Sequence, residues 1–256
     1  MNRIDNIDFC IRYLLEQDKV EAEIPDTLTE KQRLLRALMN IWEPQPLSDE
    51  FLWAQDAELQ AQLADKGIAS ANFQLSTFNF QLSLWQGDIT RLKVDAIVNA
   101  ANSQGLGCWQ PLHNCIDNCI HSAAGLQLRQ ECNNILKGGT IDTGEAIITI
   151  GYNLPAKYVI HTVGPIISAG EPPALQQREQ LADCYRNCLA IAEANGCRSI
   201  AFCCISTGVF GYPNREAAEV AVETVAQAIR NSNIKVIFNV FKDIDYDIYR
   251  YILGTH

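Results

Sequence analysis

The feature that most restricts the fold is an alternation, from about residue 78 onward, of short apolar runs with longer helical patterns. Phe78, Phe80, Leu82 and Leu84 alternate with polar residues, as in a half-buried strand. Residues 96–98, 146–150, 158–161, 200–205 and 236–240 read as further strands, mostly continuous apolar runs of the kind covered on both faces. Helical periodicity fills the intervals at 115–130, 173–194 and 214–230, with a last stretch near 246–252. Strands alternating with helices imply an α/β domain of three layers (α/β/α) around a mixed, mostly parallel sheet. No internal repeat or low-complexity segment interrupts it.

The first 70 or so residues differ. Ile4, Ile7, Ile11, Leu14 and Leu15 recur at helical spacing, and Leu34, Leu35, Leu38 and Ile41 form a second apolar face. Thr27 followed by Glu30 resembles a capping box for that second helix, and Pro44 and Pro46 end it. Ser48 caps a third helix that runs to Gly67. This segment carries no chemical motif, so it is expected to be a helical appendage. The division is an N-terminal helical extension over 1–75 and a main domain over 76–256.

Composition excludes several classes. The 256 residues carry a net charge of −10, with no Lys/Arg cluster to neutralise a phosphate backbone, which argues against a general nucleic-acid binder. No apolar run reaches the ~18–20 residues of a membrane helix, and acids stand at Asp5 and Asp8 where a signal peptide has a basic start. A cytoplasmic protein is expected. Its ten cysteines are irregularly spaced and read as reduced thiols. Cys203 and Cys204 fall inside an apolar run and read as buried strand residues.

Chemistry concentrates between residues 107 and 117. Cys108, His113 and Cys115 offer thiolate and imidazole, the ligand set that zinc favours, and Asp117 follows two places on. By spacing alone two readings stand: a three-ligand site with one position left for water or substrate, or two buried thiols beside a surface histidine. Cys119 is either a fourth ligand or a packing residue on the apolar face of a helix. Three glycine-containing loops, 86–91, 99–108 and 206–213, follow strands, and in open α/β sheets ligands bind beyond the carboxyl ends of strands. Gly208 and Gly211 permit close backbone approach, and Pro213 and Asn214 start a helix whose N-terminus suits a diphosphate. No lysine stands where a Walker loop requires one.

The order of these segments resembles the macrodomain family, which binds ADP-ribose. The resemblance rests on Gly87-Asp88-Ile89-Thr90, Asp95 to Asn102, Ile116-Asp117 with Ile120-His121, Ala123-Ala124-Gly125, Gly144-Glu145-Ala146, Val159 to Pro165, and Ser206 to Pro213, and spans roughly residues 78–240. It implies that Asp88 accepts the adenine amino group while the Ile89 N–H faces the ring. The backbone of Ser206, Thr207, Gly208, Val209 and Phe210 cradles the diphosphate, and Phe210 packs on the distal ribose. Asn102 and Asp117 lie near that ribose, in the catalytic region of the hydrolytic branch.

One departure sharpens the resemblance. Where hydrolytic relatives have a run of glycines before the aspartate, this chain has the longer segment 106–115 with Cys108, His113 and Cys115. That is similar to a zinc-containing subgroup that also has an N-terminal helical extension. The similarity implies Zn2+ held by these three residues beside the distal ribose. It also implies hydrolytic removal of mono-ADP-ribose from acidic side chains of a modified protein, reversing a sirtuin-like ADP-ribosyltransferase. Zinc then either activates water or holds a ribose hydroxyl. The alternatives are an ADP-ribose-binding module without turnover and an O-acetyl-ADP-ribose deacetylase. His121 and His161 are expected to be core histidines. Trp109 either lines the cleft or covers the metal, and Tyr212 either closes over the ligand or packs beside Pro213.

Overall fold

The computed structural model describes residues 2–70, 76–77 and 81–254. Helix α1 (Arg3–Asp18) starts on a capping box between Asn2 and Asp5. Helix α2 (Leu28–Ile41) is capped by Thr27, whose hydroxyl accepts from the Glu30 N–H; the Glu30 carboxylate accepts from the Thr27 hydroxyl rather than closing a reciprocal box. Helix α3 (Asp49–Lys66) runs from Ser48, which accepts from the Phe51 N–H, to Gly67 in a positive-φ conformation. These three helices enclose an apolar cluster of their own around Ile7, Ile11, Leu14, Leu35, Trp42 and Phe51. Each such fully buried side chain contributes roughly 1.5–3 kcal/mol. Leu126 of the main sheet domain joins that cluster, so the extension is packed onto the rest of the chain.

Strand β1 (Ala69–Ser70) pairs in parallel with β4 (Leu92–Lys93). The main sheet has seven strands among the described residues: β2 (Ser76–Thr77), β3 (Leu82–Gln86), β5 (Ala96–Ala100), β6 (Ala146–Ile150), β7 (Tyr158–Thr162), β8 (Ser199–Phe202) and β9 (Lys235–Val240). Their order is β2-β3-β9-β8-β5-β7-β6. Only the outer pairs β2–β3 and β6–β7 are antiparallel. The expected alternation at Phe78 and Phe80 lies outside the described residues; Leu82 and Leu84 stand in β3 and are buried.

Five helices connect or follow these strands: α4 (Ile116–Ala124), α5 (Leu126–Leu136), α6 (Leu175–Ala194), α7 (Asn214–Ala228) and α8 (Asp243–Gly254). From β5 the chain passes through α4 and α5 toward one sheet edge, and from β7 through α6 and α7 toward the other. Right-handed crossovers place those two groups on opposite faces. Their contacts agree: α4 packs on β5 and α5 on β6, while α6, α7 and α8 pack on one another in turn. Ile97, Val98, Ile160, Ile200, Ala201 and Phe238 fill the core between the layers.

Two expectations are corrected. The helix read over 115–130 is two helices, broken at Gly125. Gly125 has φ +101°, and a Cβ there would meet Gln127 Oε1 at 2.6 Å and Gln55 Nε2 at 2.8 Å. The apolar run 200–205 is strand only to Phe202; Cys203 and Cys204 belong to the loop beyond it. No helix among the described residues is long and apolar enough to cross a membrane.

Candidate active site

Because β3, β5, β8 and β9 are parallel neighbours, the loops after them emerge at one edge of the sheet. They surround a cleft of ≈ 1140 Å3. Every candidate read from the sequence lines it: Asp88, Ile89, Asn102, Cys108, His113, Cys115, Asp117, and Ser206 through Phe210. The N-terminal helices supply another wall through Gln32, Arg36, Met39 and Lys66. The appendage expected to carry no chemistry thus borders the site, because α2 packs against α4.

At one end of the cleft, Asp88 caps the short turn Ile89–Arg91. Its Oδ1 accepts from the Thr90 N–H at 3.0 Å and from the Thr90 hydroxyl at 2.6 Å. Its Oδ2 lies 3.7 Å from Lys66 Nζ. The Ile89 side chain is buried in the core beneath.

The loop after β8 turns sharply. Ser206 is 95% removed from solvent with φ +65°, a left-handed conformation that non-glycine residues seldom adopt. The Ser206 carbonyl accepts from the Tyr212 N–H at 2.9 Å, and the Phe210 carbonyl from the Ile167 N–H at 2.8 Å. The N–H groups of Gly208, Val209 and Phe210 have no hydrogen-bond partner among the described residues. Consecutive free N–H groups beside a helix N-terminus form an anion-binding concavity. Gly164, two residues beyond β7, packs closely on this turn: a Cβ on it would sit 2.0 Å from the Ser206 Oγ and 2.8 Å from the Ile205 Cγ2.

Next to that loop, on the side away from Asp88 in the strand order, lies the segment after β5. Asn102 Oδ1 accepts from the Gln104 N–H at 3.0 Å, an Asx turn, while Asn102 Nδ2 donates to the Gly107 carbonyl at 3.0 Å and to Asp117 Oδ2 at 3.2 Å. Asn99, whose role the sequence did not disclose, donates to the other carboxylate oxygen, Asp117 Oδ1, at 2.7 Å. Asp117 is 4% exposed. Burial pushes its carboxyl up to about 6, against the Asn99 hydrogen bond and the Arg129 charge, which both pull it down. His121 Nε2 lies 3.6 Å from Asp117 Oδ1, the distance of an ion pair. It is not one: burial, with His161 and Arg129 nearby, holds the His121 imidazole well below its usual range and therefore neutral.

Cys108, His113 and Cys115 converge as half-buried side chains whose ligand atoms all lie within 4.8 Å of one another. Cys108 Sγ is 3.5 Å from His113 Nδ1. A tetrahedral zinc with bonds of about 2.0–2.3 Å separates its ligand atoms by about 3.3–3.8 Å, so this arrangement fits the ion. Burial pushes the Cys115 thiol up to about 12, and the adjacent Cys108 adds to that shift. A shared cation is what would bring such a pair to the thiolate form.

Other residues resolve as follows. Cys119 lies outside that ligand group, half-buried with its sulfur 3.8 Å from Arg36 Nη2. Trp109 does not line the cleft; its ring lies under the Arg129 guanidinium at 4.2 Å and its Nε1 donates to Gln104. Tyr212 is 2% exposed and packs in the core. His121 and His161 are both buried. Together with Cys132 they form a second close group. His161 is already engaged there, through Nδ1 with Asn99 at 3.1 Å and through Nε2 with Thr149 at 2.9 Å.

Comparison with known proteins agrees with this geometry. The Macro domain family profile matches residues 98–221. The chain is 50% identical to a protein-ADP-ribose hydrolase of Treponema medium, over 96% of this chain and 97% of that protein. It is 41% identical to a probable bifunctional ADP-ribose hydrolase/ADP-ribosyltransferase of Fusarium oxysporum f. sp. cubense, over 88% of this chain and 41% of that longer protein. A Trypanosoma brucei macrodomain crystallised with ADP-ribose superposes with a TM-score of 0.65 at 30% identity, covering 90% of this chain and 97% of that one. A chain with this sheet, this cleft and these relatives belongs to the Macro domain family.

Proposed function

We propose that the protein is a zinc-dependent protein-ADP-ribose hydrolase that removes mono-ADP-ribose from aspartate and glutamate side chains. The observation that carries this reading is the Asp117 carboxylate. It is gripped on one oxygen by Asn99 and on the other by Asn102, and it lines the same cleft as the Cys108–His113–Cys115 group. A carboxylate held in one orientation beside a metal-ligand group suits the activation of a water. Hydrolase activity is supported by the Treponema relative, and ADP-ribose as the ligand by the trypanosome structure.

In this reading Asp88 receives the adenine amino group through the oxygen that faces Lys66, and the Ile89 N–H faces the ring. The free N–H groups of Gly208, Val209 and Phe210, with Ser206 and Thr207 shaping the turn, hold the diphosphate. Phe210 packs on the distal ribose, whose anomeric carbon then lies over the hydrogen-bonded pair of Asn102 and Asp117. Asp117 orients a water and takes its proton as the water oxygen bonds to the anomeric carbon. The anomeric C–O bond breaks, and the substrate's carboxylate departs with the electron pair, needing little protonation. Cys108, His113 and Cys115 would hold Zn2+, which supplies either polarisation of a ribose oxygen or a lowered pKa for bound water.

The Fusarium relative, named for both a hydrolase and an ADP-ribosyltransferase, supports pairing with a transferase; a sirtuin-like one is the partner proposed. The same reading keeps residues 1–75 as a helical extension to a macrodomain over 76–256, and places the protein in the cytoplasm. The test is metal analysis joined to turnover. Cys108→Ala or His113→Ala should lose zinc and most hydrolysis while far-UV circular dichroism is unchanged. Full turnover by a zinc-free variant would overturn the metal part of the reading.

A further inference from the structure

We propose that Arg36 and Asn40 of α2 are positioning residues for the metal loop, so that the N-terminal helices complete the site. The inference rests on the reading of Cys108, His113 and Cys115 as a metal site and adds to it the part that holds the ligands in place.

Arg36 and Asn40 are one helical turn apart and so face the same side of α2. They grip successive residues of the loop. Asn40 Oδ1 accepts from the Leu112 N–H at 2.9 Å. Arg36 Nη2 donates to the His113 carbonyl at 2.8 Å. Leu112 has φ +58°, a left-handed conformation that a leucine holds where its surroundings enforce it. The enforcing group is the amide of Asn40, 1% exposed and itself fixed by donating to Ser122 Oγ at 3.0 Å. The turn at Leu112 sets the direction in which the next residue, His113, leaves the backbone.

Arg36 also forks onto Asn118 Oδ1 with Nε at 3.2 Å and Nη2 at 2.8 Å. Asn118, fully buried, passes that restraint back into the loop: its Nδ2 donates to the Gln110 carbonyl at 3.0 Å, and its N–H points at Cys115 Sγ at 3.4 Å. Backbone groups of residues 110, 112 and 113 and the sulfur of Cys115 are therefore tied, directly or through Asn118, to two α2 side chains. The end of α2 is fixed in its turn. Arg129 of α5 donates through Nη1 to the carbonyls of Met39, Asn40 and Trp42 at 3.2, 3.1 and 2.6 Å, a cation where the helix dipole favours one. Groups that orient metal ligands in this way commonly change metal affinity by about 10–100-fold when removed.

The experiment uses the full chain as wild type, Arg36→Ala, Arg36→Lys, Asn40→Ala and Asn40→Asp. Zn2+ affinity is read by chelator competition, and Co2+-loaded samples by their thiolate charge-transfer and d–d absorption. Both alanine variants should bind Zn2+ roughly 10–100-fold more weakly, with an altered Co2+ spectrum. Asn40→Asp, which keeps the acceptor for the Leu112 N–H, should recover most of the affinity. Arg36→Lys, which reaches one acceptor but cannot fork, should recover part. If Asn40→Ala does not fold, Asn40→Ser, too short to reach the Leu112 N–H, takes its place, and if Arg36→Ala does not fold, Arg36→Lys must still bind Zn2+ more weakly than wild type. Wild-type affinity and spectrum in the folded alanine variants, or in these substitutes, would overturn the positioning role and leave the metal site standing. A wild-type protein that binds neither ion would instead overturn the metal reading, and this proposal with it.

Discussion

The Asn99 side-chain nitrogen lies 2.7 Å from Asp117 Oδ1 and 3.1 Å from His161 Nδ1, in the protein interior. An amide nitrogen has two hydrogens, and here each has an acceptor. That assignment makes His161 Nδ1 the acceptor, so the proton of the neutral imidazole is on Nε2, facing Thr149 Oγ1 at 2.9 Å. Thr149 donates onward to the Val159 carbonyl at 3.3 Å. The orientation of the Asp117 carboxylate is thus fixed from below by a chain that starts on the sheet.

Removing the first link should be felt twice. Asn99→Ala leaves a buried carboxylate oxygen and a buried imidazole nitrogen without a donor, at a cost of about 1–3 kcal/mol. Turnover should fall, while ADP-ribose affinity changes little because the adenine and diphosphate ends of the cleft are untouched. Denaturant titration and calorimetry with ADP-ribose check the two halves. Unaltered stability would show that the hydrogen bonds are not formed as described.

Asp117→Asn keeps the size and most of the packing of the side chain but removes the proton acceptor. Hydrolysis should drop by roughly 100- to 10,000-fold. ADP-ribose should still bind, which calorimetry can verify on the same preparation.

Gly164→Ala tests the diphosphate end without touching a charged group. The added Cβ would overlap the Ser206 Oγ at 2.0 Å and crowd the Ile205 Cγ2 at 2.8 Å, so the side chains of that turn must move to admit it. Overpacking of this kind costs about 1–3 kcal/mol. ADP-ribose binding should weaken more than metal binding, since the Cys108–His113–Cys115 loop lies elsewhere on the rim.

Stability should fall on mild acidification. Burial holds the His161 imidazole down at about 3, so the folded protein stays unprotonated there while the unfolded chain takes up a proton below the ordinary value of 6.5. Between those values the unfolded state binds more protons. The stability from a neutral His161 is therefore fully present above pH 6.5 and is lost progressively toward pH 3. At pH 5 the loss is about 2 kcal/mol. The shift at His121 has the same sign, whereas Asp117, raised to about 6 by burial, opposes them, because its carboxyl takes up a proton in the folded protein before the unfolded chain does. Denaturant titration at pH 7.5 and 5 should therefore show a loss about 2 kcal/mol smaller in His161→Gln than in wild type.

The alternation of apolar runs disclosed the sheet and its covering helices because fully buried strands and one-faced helices differ in period. The cleft was legible for a related reason: loops after parallel strands must emerge together, so residues as distant as Asp88 and Phe210 could be assigned to one edge. What stayed hidden depends on contacts across long stretches of chain. Gly125 breaks a periodic helix pattern because Gln55, 70 positions earlier, occupies the space a side chain would need. Cys203 and Cys204 continue an apolar run past the end of hydrogen bonding in β8, and composition does not mark where pairing stops. Asn99 sits at the end of a buried strand, where its polarity was the available signal: a buried amide must find partners. Arg36 and Asn40 stand on a helix whose apolar face is regular, and nothing local shows that its polar face holds a loop more than 70 residues away.

Cleavage of the bond between ADP-ribose and an acidic side chain is the reaction proposed for this cleft. The direct measurement is release of free ADP-ribose from a protein mono-ADP-ribosylated on glutamate, with the zinc content of the same enzyme sample determined in parallel. Zinc-loaded wild type should give multiple turnovers and leave an unmodified glutamate in the product, and Asp117→Asn should lose nearly all of this activity. Tight binding of the modified protein without release of ADP-ribose would contradict it and identify the chain as a binding module.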